Sequence, residues 1–293
     1  LVLTDRRRDH LLFCGCKVTT FILILQIFSG KFSLNACFFV ILPSKSSKNV
    51  RMMEKTRAIV LHSIKYGESQ FIVDFLTESR GRVSFLVKIP KSSKSNSKRQ
   101  YFQPLTLVTL EFDYRVSQNL QRIKNIGILY PYEDIPFSPI KISVSLFLAE
   151  FLLYATKFEQ KNLPLFYFVY DSLVWFDGAH EGIANFHLLF LMRLSFYMGI
   201  GPNLSEGLEQ SKYFDLDEGK FVPFVPAHSH YLSESDSFHL LQMFRLDYKT
   251  MHLYKMSRQE RNHSVEVMIE YYRLHIPGFP ELKSLSVLQE LFC

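Results

Sequence analysis

The residues of this sequence that could do chemistry are concentrated in a short cationic segment that ends in two aromatic side chains. Residues 88–99 carry five cations and no anion, and two rings follow: Lys88, Lys91, Lys94, Lys98, Arg99, Tyr101 and Phe102. Lysine and arginine side chains bind phosphates, and aromatic rings stack on unpaired bases. The segment therefore favours a cationic arm that contacts a nucleic-acid backbone. A solvated flexible loop without a ligand is the alternative interpretation.

Further cations lie close by in sequence and extend the same predicted surface. Two belong to a predicted hairpin turn and two to a later predicted strand: Arg80, Arg82, Arg122 and Lys124. Residues 53–130 carry 13 basic and 6 acidic side chains, a net charge of +7. Residues 131–293 carry 13 basic and 20 acidic side chains, a net charge of −7. This asymmetry predicts a polyanion-binding front half joined to a rear half that has another task.

Motifs of enzymatic catalysis are absent from the sequence. It has no P-loop, no GxSxG nucleophile motif, no HExxH zinc motif and no Rossmann glycine triplet. Gly199-Ile-Gly201 precedes a proline and indicates a loop after a helix. The stretch from Asp215 to Gly219 lacks the ligand spacing of a calcium loop and predicts a hairpin tip. The sequence thus predicts a protein that is not an enzyme and has no catalytic residue.

Metal ligands are sparse as well. The four cysteines stand at positions 14, 16, 37 and 293 and form no CxxC pair, so neither a disulfide framework nor a cysteine zinc site is predicted. His228 and His230 are a candidate pair of ligands, but no cysteine or carboxylate cluster accompanies them in the sequence. We therefore expect no metal, no stoichiometric zinc and no cofactor. The scarcity of cysteines fits a reducing cytoplasm.

The elements that must position the cationic residues are predicted to be β-strands. From residue 56 apolar and polar side chains alternate with a period of two, and turns that contain glycine separate the segments. The predicted strands cover residues 56–65, 71–77, 83–88, 105–115 and 120–130. Five short strands favour an OB-fold β-barrel, with an SH3-like barrel as the alternative.

After Pro139 the period of the apolar residues changes to that of helices. The predicted helices cover residues 143–158, 163–176, 183–198, 233–246, 257–275 and 284–292. Ser257 and Glu260 have the spacing of a capping box at the start of the fifth helix. The sequence thus predicts an α+β protein, in which a five-stranded OB-fold β-barrel is followed by an all-α helical domain.

These patterns divide the chain into three segments. An N-terminal extension, a nucleic-acid-binding domain and a helical domain cover residues 1–52, 53–135 and 136–293. The extension lacks a regular period and is predicted to be non-native or disordered, with the native start at Met52 or Met53. A signal or membrane anchor and a genuine ordered extension are the alternatives. The helical domain is predicted to contain a small zinc-free hairpin at about 205–232, and no apolar run reaches the ~18 residues of a spanning helix.

Several motifs, in this order and spacing, resemble the RecO family of bacterial DNA-repair mediators. The front motif runs from Ala58 to Arg82 and includes the turn Tyr66-Gly67-Glu68-Ser69, Thr77 and the hairpin Gly81-Arg82. The Ser-Lys repeats of the basic loop, the Gly199-Ile-Gly201-Pro202-Asn203-Leu204 element and the helix at 284–292 complete the likeness. The resemblance covers about 53–293.

The resemblance implies an OB-fold that binds single- and double-stranded DNA without enzymatic turnover. Members of this family anneal complementary strands and, with RecR and in some lineages RecF, help RecA load onto DNA coated by single-strand-binding protein. The resemblance thus implies a cytoplasmic, nucleoid-associated recombination mediator. Many members hold a zinc ion with paired cysteines after the Pro-Asn-Leu motif. Residues 205–232 of this chain contain no cysteine, which implies a zinc-free variant.

Two other classes of protein stay open at this point. An RNA-binding OB-fold protein would share the barrel and the basic loop, and relative affinities for single-stranded DNA and RNA would separate the two. An enzyme with an unrecognised site is the other alternative, and assays of nuclease, ATPase and esterase activity would test it.

Overall fold

The computed structural model describes residues 52–88, 99–204 and 212–290. The predictions on residues 1–51 and on Lys91, Lys94 and Lys98 lie outside this part of the chain. Six strands of the front half form one sheet: β1 (Met52–Tyr66), β2 (Gln70–Thr77), β3 (Gly81–Lys88), β4 (Leu107–Tyr114), β5 (Leu120–Gln121) and β6 (Ile123–Tyr130).

The long strand β1 lies at the centre of this sheet, whose order is β5-β3-β2-β1-β4-β6. Its first half pairs antiparallel with β4, and its second half pairs antiparallel with β2. Because successive side chains of a strand point to opposite faces, Ala58 and Val60 enter one apolar core, and Ile59 and Leu61 enter another. The first core belongs to the sheet, and the second is shared with the helices of the rear half. Alternate side chains of β1 therefore fill two separate apolar cores.

The predicted fifth strand is divided at Arg122 into two strands with different partners. β5 pairs in parallel with β3, whereas β6 pairs antiparallel with β4. The buried side chain of Gln121 hydrogen-bonds the backbone of Arg115 and Gln118, which ties the preceding loop to β5. The sheet thus has six strands, and the predicted number of five is wrong because of this interruption. Its two edge strands are consecutive in the chain, in agreement with the predicted OB-fold.

The rear half is helical, and its helix boundaries differ from the predicted ones by a few residues. The helices are α1 (Pro139–Ala155), α2 (Leu163–Gly178), α3 (Ile183–Tyr197), α4 (Glu234–Phe244), α5 (Arg258–His275) and α6 (Ser284–Glu290). Ser138 caps α1 and Asn162 caps α2, each by accepting a backbone N–H three residues further on. The predicted capping box of Ser257 and Glu260 is confirmed. No helix in the described ranges is long and apolar enough to cross a membrane.

A small second sheet lies between α3 and α4. It consists of β7 (Tyr213–Asp215), β8 (Lys220–Val222) and β9 (Tyr231–Leu232) in the order β8-β7-β9. β7 and β8 form the hairpin predicted in this stretch. Asp215 at the end of β7 lies 3.1 Å from the Nε2 atom of His228, and Asp217 in the turn lies 3.0 Å from the Nδ1 atom of His230. Carboxylates that are absent from the sequence neighbourhood of the two histidines are thus brought to them by the fold, across a separation of 13 residues.

The β2–β3 hairpin docks on the helices through polar contacts. Arg57 donates two hydrogen bonds to Glu78, at 2.8 and 2.7 Å, and a third to the hydroxyl of Tyr167 in α2. The hydrogen bonds from Arg57 lower the pKa of Glu78 to about 2. Gly81 has a φ of 71°, and a Cβ at this position would overlap the backbone carbonyl of Gln160. Only glycine therefore fits at this point of the junction.

Candidate nucleic-acid interface

The six-stranded sheet, with the turns between its strands, forms the β-domain (residues 52–130). A cleft on this domain contains predicted binding residues from three separate segments. Lys88 ends β3, Tyr101 and Phe102 belong to the 3-10 turn Gln100–Phe102, and Arg122 and Lys124 lie around the β5–β6 break. The cleft has a volume of about 480 Å³, and its walls also include Leu86, Val87, Ile123, Asn125 and Ile126. The tertiary structure thus brings five of the predicted residues to one concave surface.

The cations of this cleft are exposed to solvent. Lys88 and Arg122 form no ion pair with any other residue that the structure describes, and Arg99, at the start of the 3-10 turn, is exposed as well. Lys124 is paired with Asp113 at 2.8 Å, but its side chain is 51% exposed. An exposed ion pair contributes only about 0–1 kcal/mol, so a phosphate can compete for this ammonium group. The cleft therefore offers positive charge to an anionic ligand.

The predicted cationic arm begins and ends at this cleft. Its lysines Lys91, Lys94 and Lys98 lie outside the described residues. Lys88, which precedes the segment 89–98, lines the cleft, and Arg99, which follows it, leads directly into the turn that carries Tyr101. The backbone therefore enters and leaves the segment 89–98 beside the cleft.

The two aromatic residues of the turn differ in their surroundings. Tyr101 is half-buried against the core of the β-domain and keeps part of its ring surface open. Phe102 is only 7% exposed, and its ring packs edge-on against Phe75 with 6.5 Å between the centroids. The packing of this ring in the core argues against the predicted stacking of Phe102 on a base. The prediction for Tyr101 stays open.

Arg80 and Arg82 do not belong to the cleft. They lie at the Gly81 end of β3, and Lys88 lies at the other end, a distance of roughly 23 Å along an extended strand. The guanidinium of Arg80 pairs with Glu54 and lies 3.6 Å from the ring centroid of Tyr114. The hydrogen bonds with Glu54 raise the pKa of Arg80.

The side chain of Arg82 is mostly buried between the β-domain and the helices. It is only 14% exposed, pairs with Asp74 at 3.1 Å and donates to the carbonyl of Leu153 in α1 at 2.7 Å. Burial lowers the pKa of this guanidinium. These contacts join the β-domain to the helices and argue against the predicted contact of Arg82 with DNA.

Comparison with known proteins decides the family. The model of "Recombination protein O N terminal" matches residues 52–132, and that of "Recombination protein O C terminal" matches residues 136–286. The chain belongs to the RecO family. Among its curated relatives, DNA repair protein RecO of Bacteroides fragilis is 46% identical over 242 residues, and that of Phocaeicola vulgatus is 44% identical over 241 residues. The corresponding protein of Flavobacterium psychrophilum is 36% identical over 242 residues.

Each of these three matches covers 82% of this chain and 100% of the RecO relative. Membership in RecO places the chain among DNA repair proteins.

Two of the RecO-like motifs have structural roles. Gly81 of the front motif docks the β2–β3 hairpin against the helices. In the Pro-Asn-Leu motif, the N–H of Asn203 donates to the carbonyl of Gly219 at 2.8 Å, and Asn203 forms a β-bridge with Lys220. This RecO motif therefore connects the segment after α3 to the β7–β8 hairpin.

Apart from the two aromatic residues, the uncharged members of the cleft were not predicted from the sequence. Asn125, Leu86, Ile123 and Ile126 carry no charge, so a search for cations passes over them. The one sequence indication was that Ile123 and Asn125 neighbour Arg122 and Lys124 on a predicted strand. With these residues the cleft of the RecO chain presents apolar and amide surface between its cations, which suits a ligand with both phosphates and bases.

Proposed function

We propose that this RecO-family protein binds single- and double-stranded DNA through the cleft and the cationic arm, and works as a recombination mediator in recombinational DNA repair. It anneals complementary strands and helps recombinase load onto DNA coated by single-strand-binding protein. Its proposed partners are RecR, RecF, RecA and single-strand-binding protein. It acts in the cytoplasm in association with the nucleoid, and it catalyses no reaction. The observation that carries the proposal is the convergence of Lys88, Arg122 and Lys124 on one cleft beside Tyr101.

The cations are proposed to bind phosphates without reading base sequence. The proposed contacts of the cleft and arm are Lys88, Lys91, Lys94, Lys98, Arg99, Tyr101, Arg122 and Lys124. Each neutralised phosphate releases counterions, so the logarithm of the binding constant falls linearly with the logarithm of the salt concentration, by roughly 0.7 per contact on single strands and 0.9 on duplex. Affinity for either form of DNA should therefore depend steeply on salt.

Tyr101 is proposed to favour single strands. A ring that is partly open beside a cationic cleft can stack on an unpaired base, whereas the bases of a duplex are already stacked. The same surface can hold one strand while its bases pair with a second strand. This arrangement supports annealing, because the phosphate charges of both strands are screened by the protein's cations.

The rear half supports the proposed protein contacts through its charge. The net charge of −7 over residues 131–293 disfavours a second contact with DNA and leaves the helical region for protein partners. The cleft lies on the β-domain, so DNA and a partner can be bound by different halves of the chain.

The cleft is tested with a matched pair of double variants. Lys88→Ala with Arg122→Ala removes two exposed cations of the cleft, and Lys249→Ala with Lys255→Ala removes two exposed cations of the helical region. Fluorescence anisotropy with a labelled single strand and a labelled duplex, between 50 and 200 mM salt, measures affinity and salt slope. We expect the cleft variant to lose about 1.4 units of slope on single strands and about 1.8 on duplex. The helical-region variant should bind as the wild type does.

Equal affinity and slope in both double variants would show that DNA binds elsewhere. Tighter binding of a single-stranded RNA of the same base sequence would favour an RNA-binding protein instead. The mediator role is tested separately, by annealing of complementary oligonucleotides coated with single-strand-binding protein, with and without RecR. A protein that binds DNA but never accelerates this annealing would not be a mediator.

A further inference from the structure

The turn between β7 and β8 and the segment before β9 form a compact cluster of metal-binding side chains. One donor atom each from Asp217, His228 and His230 lies within 4.8 Å of the others. The Nδ1 atom of His230 is 3.0 and 3.2 Å from the two carboxylate oxygens of Asp217, and the Nδ1 atom of His228 is 3.4 Å from the nearer one. Ligands at about 2.0–2.1 Å from a tetrahedral zinc ion are separated by roughly 3.4 Å. The spacing of the cluster is thus close to that of a coordination shell.

The imidazole ring of His228 is held in place through both of its nitrogens. Its Nδ1 atom accepts the backbone N–H of His230 at 3.2 Å. Its Nε2 atom lies 3.1 Å from a carboxylate oxygen of Asp215. The ring therefore presents Nδ1 toward Asp217, and a metal ion would replace the contact of this nitrogen with the backbone.

Asp215 is the residue that orients this histidine. Its side chain is buried, and its other carboxylate oxygen accepts the backbone N–H groups of Asp217 and Glu218 at 2.9 and 3.0 Å. A buried carboxylate that holds the far nitrogen of a ligating histidine is the usual outer support of a metal site. The cluster therefore has an inner set of donors and a fixed outer partner.

We propose that Asp217, His228 and His230 bind a divalent transition-metal ion of the zinc class, with Asp215 as the positioning residue. Two imidazoles and one carboxylate favour zinc, cobalt or nickel over calcium or magnesium, which prefer all-oxygen sites. The paired cysteines that hold zinc in many RecO members have no counterpart among residues 205–232. The donors present here are of a different type, and they revise the expectation of a metal-free hairpin.

Metal binding would stabilise the small sheet. The ion would join the β7–β8 turn to the segment before β9. Strand β7 also packs on α5, where the ring centroids of Phe214 and Tyr271 are 6.0 Å apart. His275 of α5 also contacts the carbonyl of Leu216, at 2.9 Å. Because the unfolded chain lacks this arrangement, metal at 100 times its dissociation constant should raise the melting temperature by several degrees.

The test uses the full chain after removal of metal with a chelator, and adds zinc or cobalt as the probe. Isothermal titration calorimetry should give one zinc per chain with a dissociation constant of about 10 µM or lower. Cobalt should show the absorption of a tetrahedral nitrogen and oxygen site without a thiolate charge-transfer band, which excludes the four cysteines as the ligands. Magnesium and calcium should not compete at roughly a hundredfold excess.

Variants decide which residues bind the metal. His230→Ala and, independently, Asp217→Asn should each weaken zinc at least about tenfold and abolish the rise in melting temperature. His263→Ala removes another exposed histidine, outside the cluster, and should leave both unchanged. The proposal is overturned if the wild type binds no zinc at roughly 100 µM, or if His230→Ala and Asp217→Asn bind it as the wild type does.

Discussion

The junction between the β-domain and the helices and the cleft on the same domain use cations in opposite ways. At the junction, Arg57 and Arg82 are each paired with a carboxylate and hydrogen-bonded to the helical region. In the cleft, Lys88 and Arg122 are exposed and form no ion pair with the described part of the chain. Both groups contribute equally to the positive charge of the front half. The net charge of a segment therefore does not distinguish structural cations from cations that can bind a ligand. Their burial and ion pairing do.

The largest effect is expected at the junction, from Gly81→Ala. The new Cβ would overlap the carbonyl of Gln160, and alanine disfavours the φ of 71°. Strain and overlap together should lower the free energy of unfolding by at least about 4 kcal/mol, or prevent folding. Urea denaturation measures the change. Gly67→Ala is the matched control: its φ is also 71°, nothing lies within 4 Å of its Cβ, and it should cost only about 1–2 kcal/mol. Equal costs at the two glycines would show that the junction does not need the close approach.

A second test separates the core of the β-domain from the open side of the cleft. Phe102→Ala should cost about 3–5 kcal/mol of stability, because the ring fills the core beside Phe75. It should not change the preference between single strands and duplex. Tyr101→Ala should instead weaken single-strand binding by about 1–3 kcal/mol, with a smaller effect on duplex. If Phe102→Ala changed strand preference and left stability intact, the assignment of the two rings would have to be reversed.

The comparison of arginines is sharpened by Arg82→Ala beside Arg122→Ala. Removal of Arg82 leaves Asp74 largely buried without its cation and should cost about 3 kcal/mol of stability, with the salt slope of DNA binding unchanged. Removal of Arg122 should leave stability within about 0.5 kcal/mol and reduce the slope by about 0.7–0.9. Chemical denaturation and anisotropy on both variants check the two halves of this statement. A reduced salt slope in folded Arg82→Ala would return Arg82 to the binding surface.

The smallest expected effect concerns a buried titratable group, His187 in α3. Burial, together with the nearby charge of Arg261, lowers the pKa of His187 to about 3. The folded pKa lies below the ordinary 6.5, so protons bind the unfolded chain first and stability is lost as the pH falls from 6.5 towards 3. Between pH 7.5 and 5.5 this group should remove about 1.4 kcal/mol. His187→Leu should lack this component when both proteins are denatured at each pH. If the difference in the free energy of unfolding between the two proteins were the same at pH 7.5 and at pH 5.5, His187 would not be the source of this pH dependence.

Much of the fold was predictable because its determinants are local. The alternation of apolar residues predicted the strands, the change of period after Pro139 predicted the helices, and Ser257 with Glu260 predicted a cap that the structure contains. The break at Arg122 was not predictable from the period. It depends on Gln121, whose side chain bonds the backbone of the preceding loop.

The sequence by itself determined the strand and helix periods, the basic front half and the motifs of the RecO family. The tertiary structure alone decided which cations are open, which of two adjacent rings enters the core, and that Asp217 lies beside His228 and His230. Alternation and helical periodicity are set between neighbouring residues, so a linear sequence displays them. Ion pairs such as Arg82 with Asp74, and clusters assembled by strand pairing, depend on distances between segments that only the folded chain brings together.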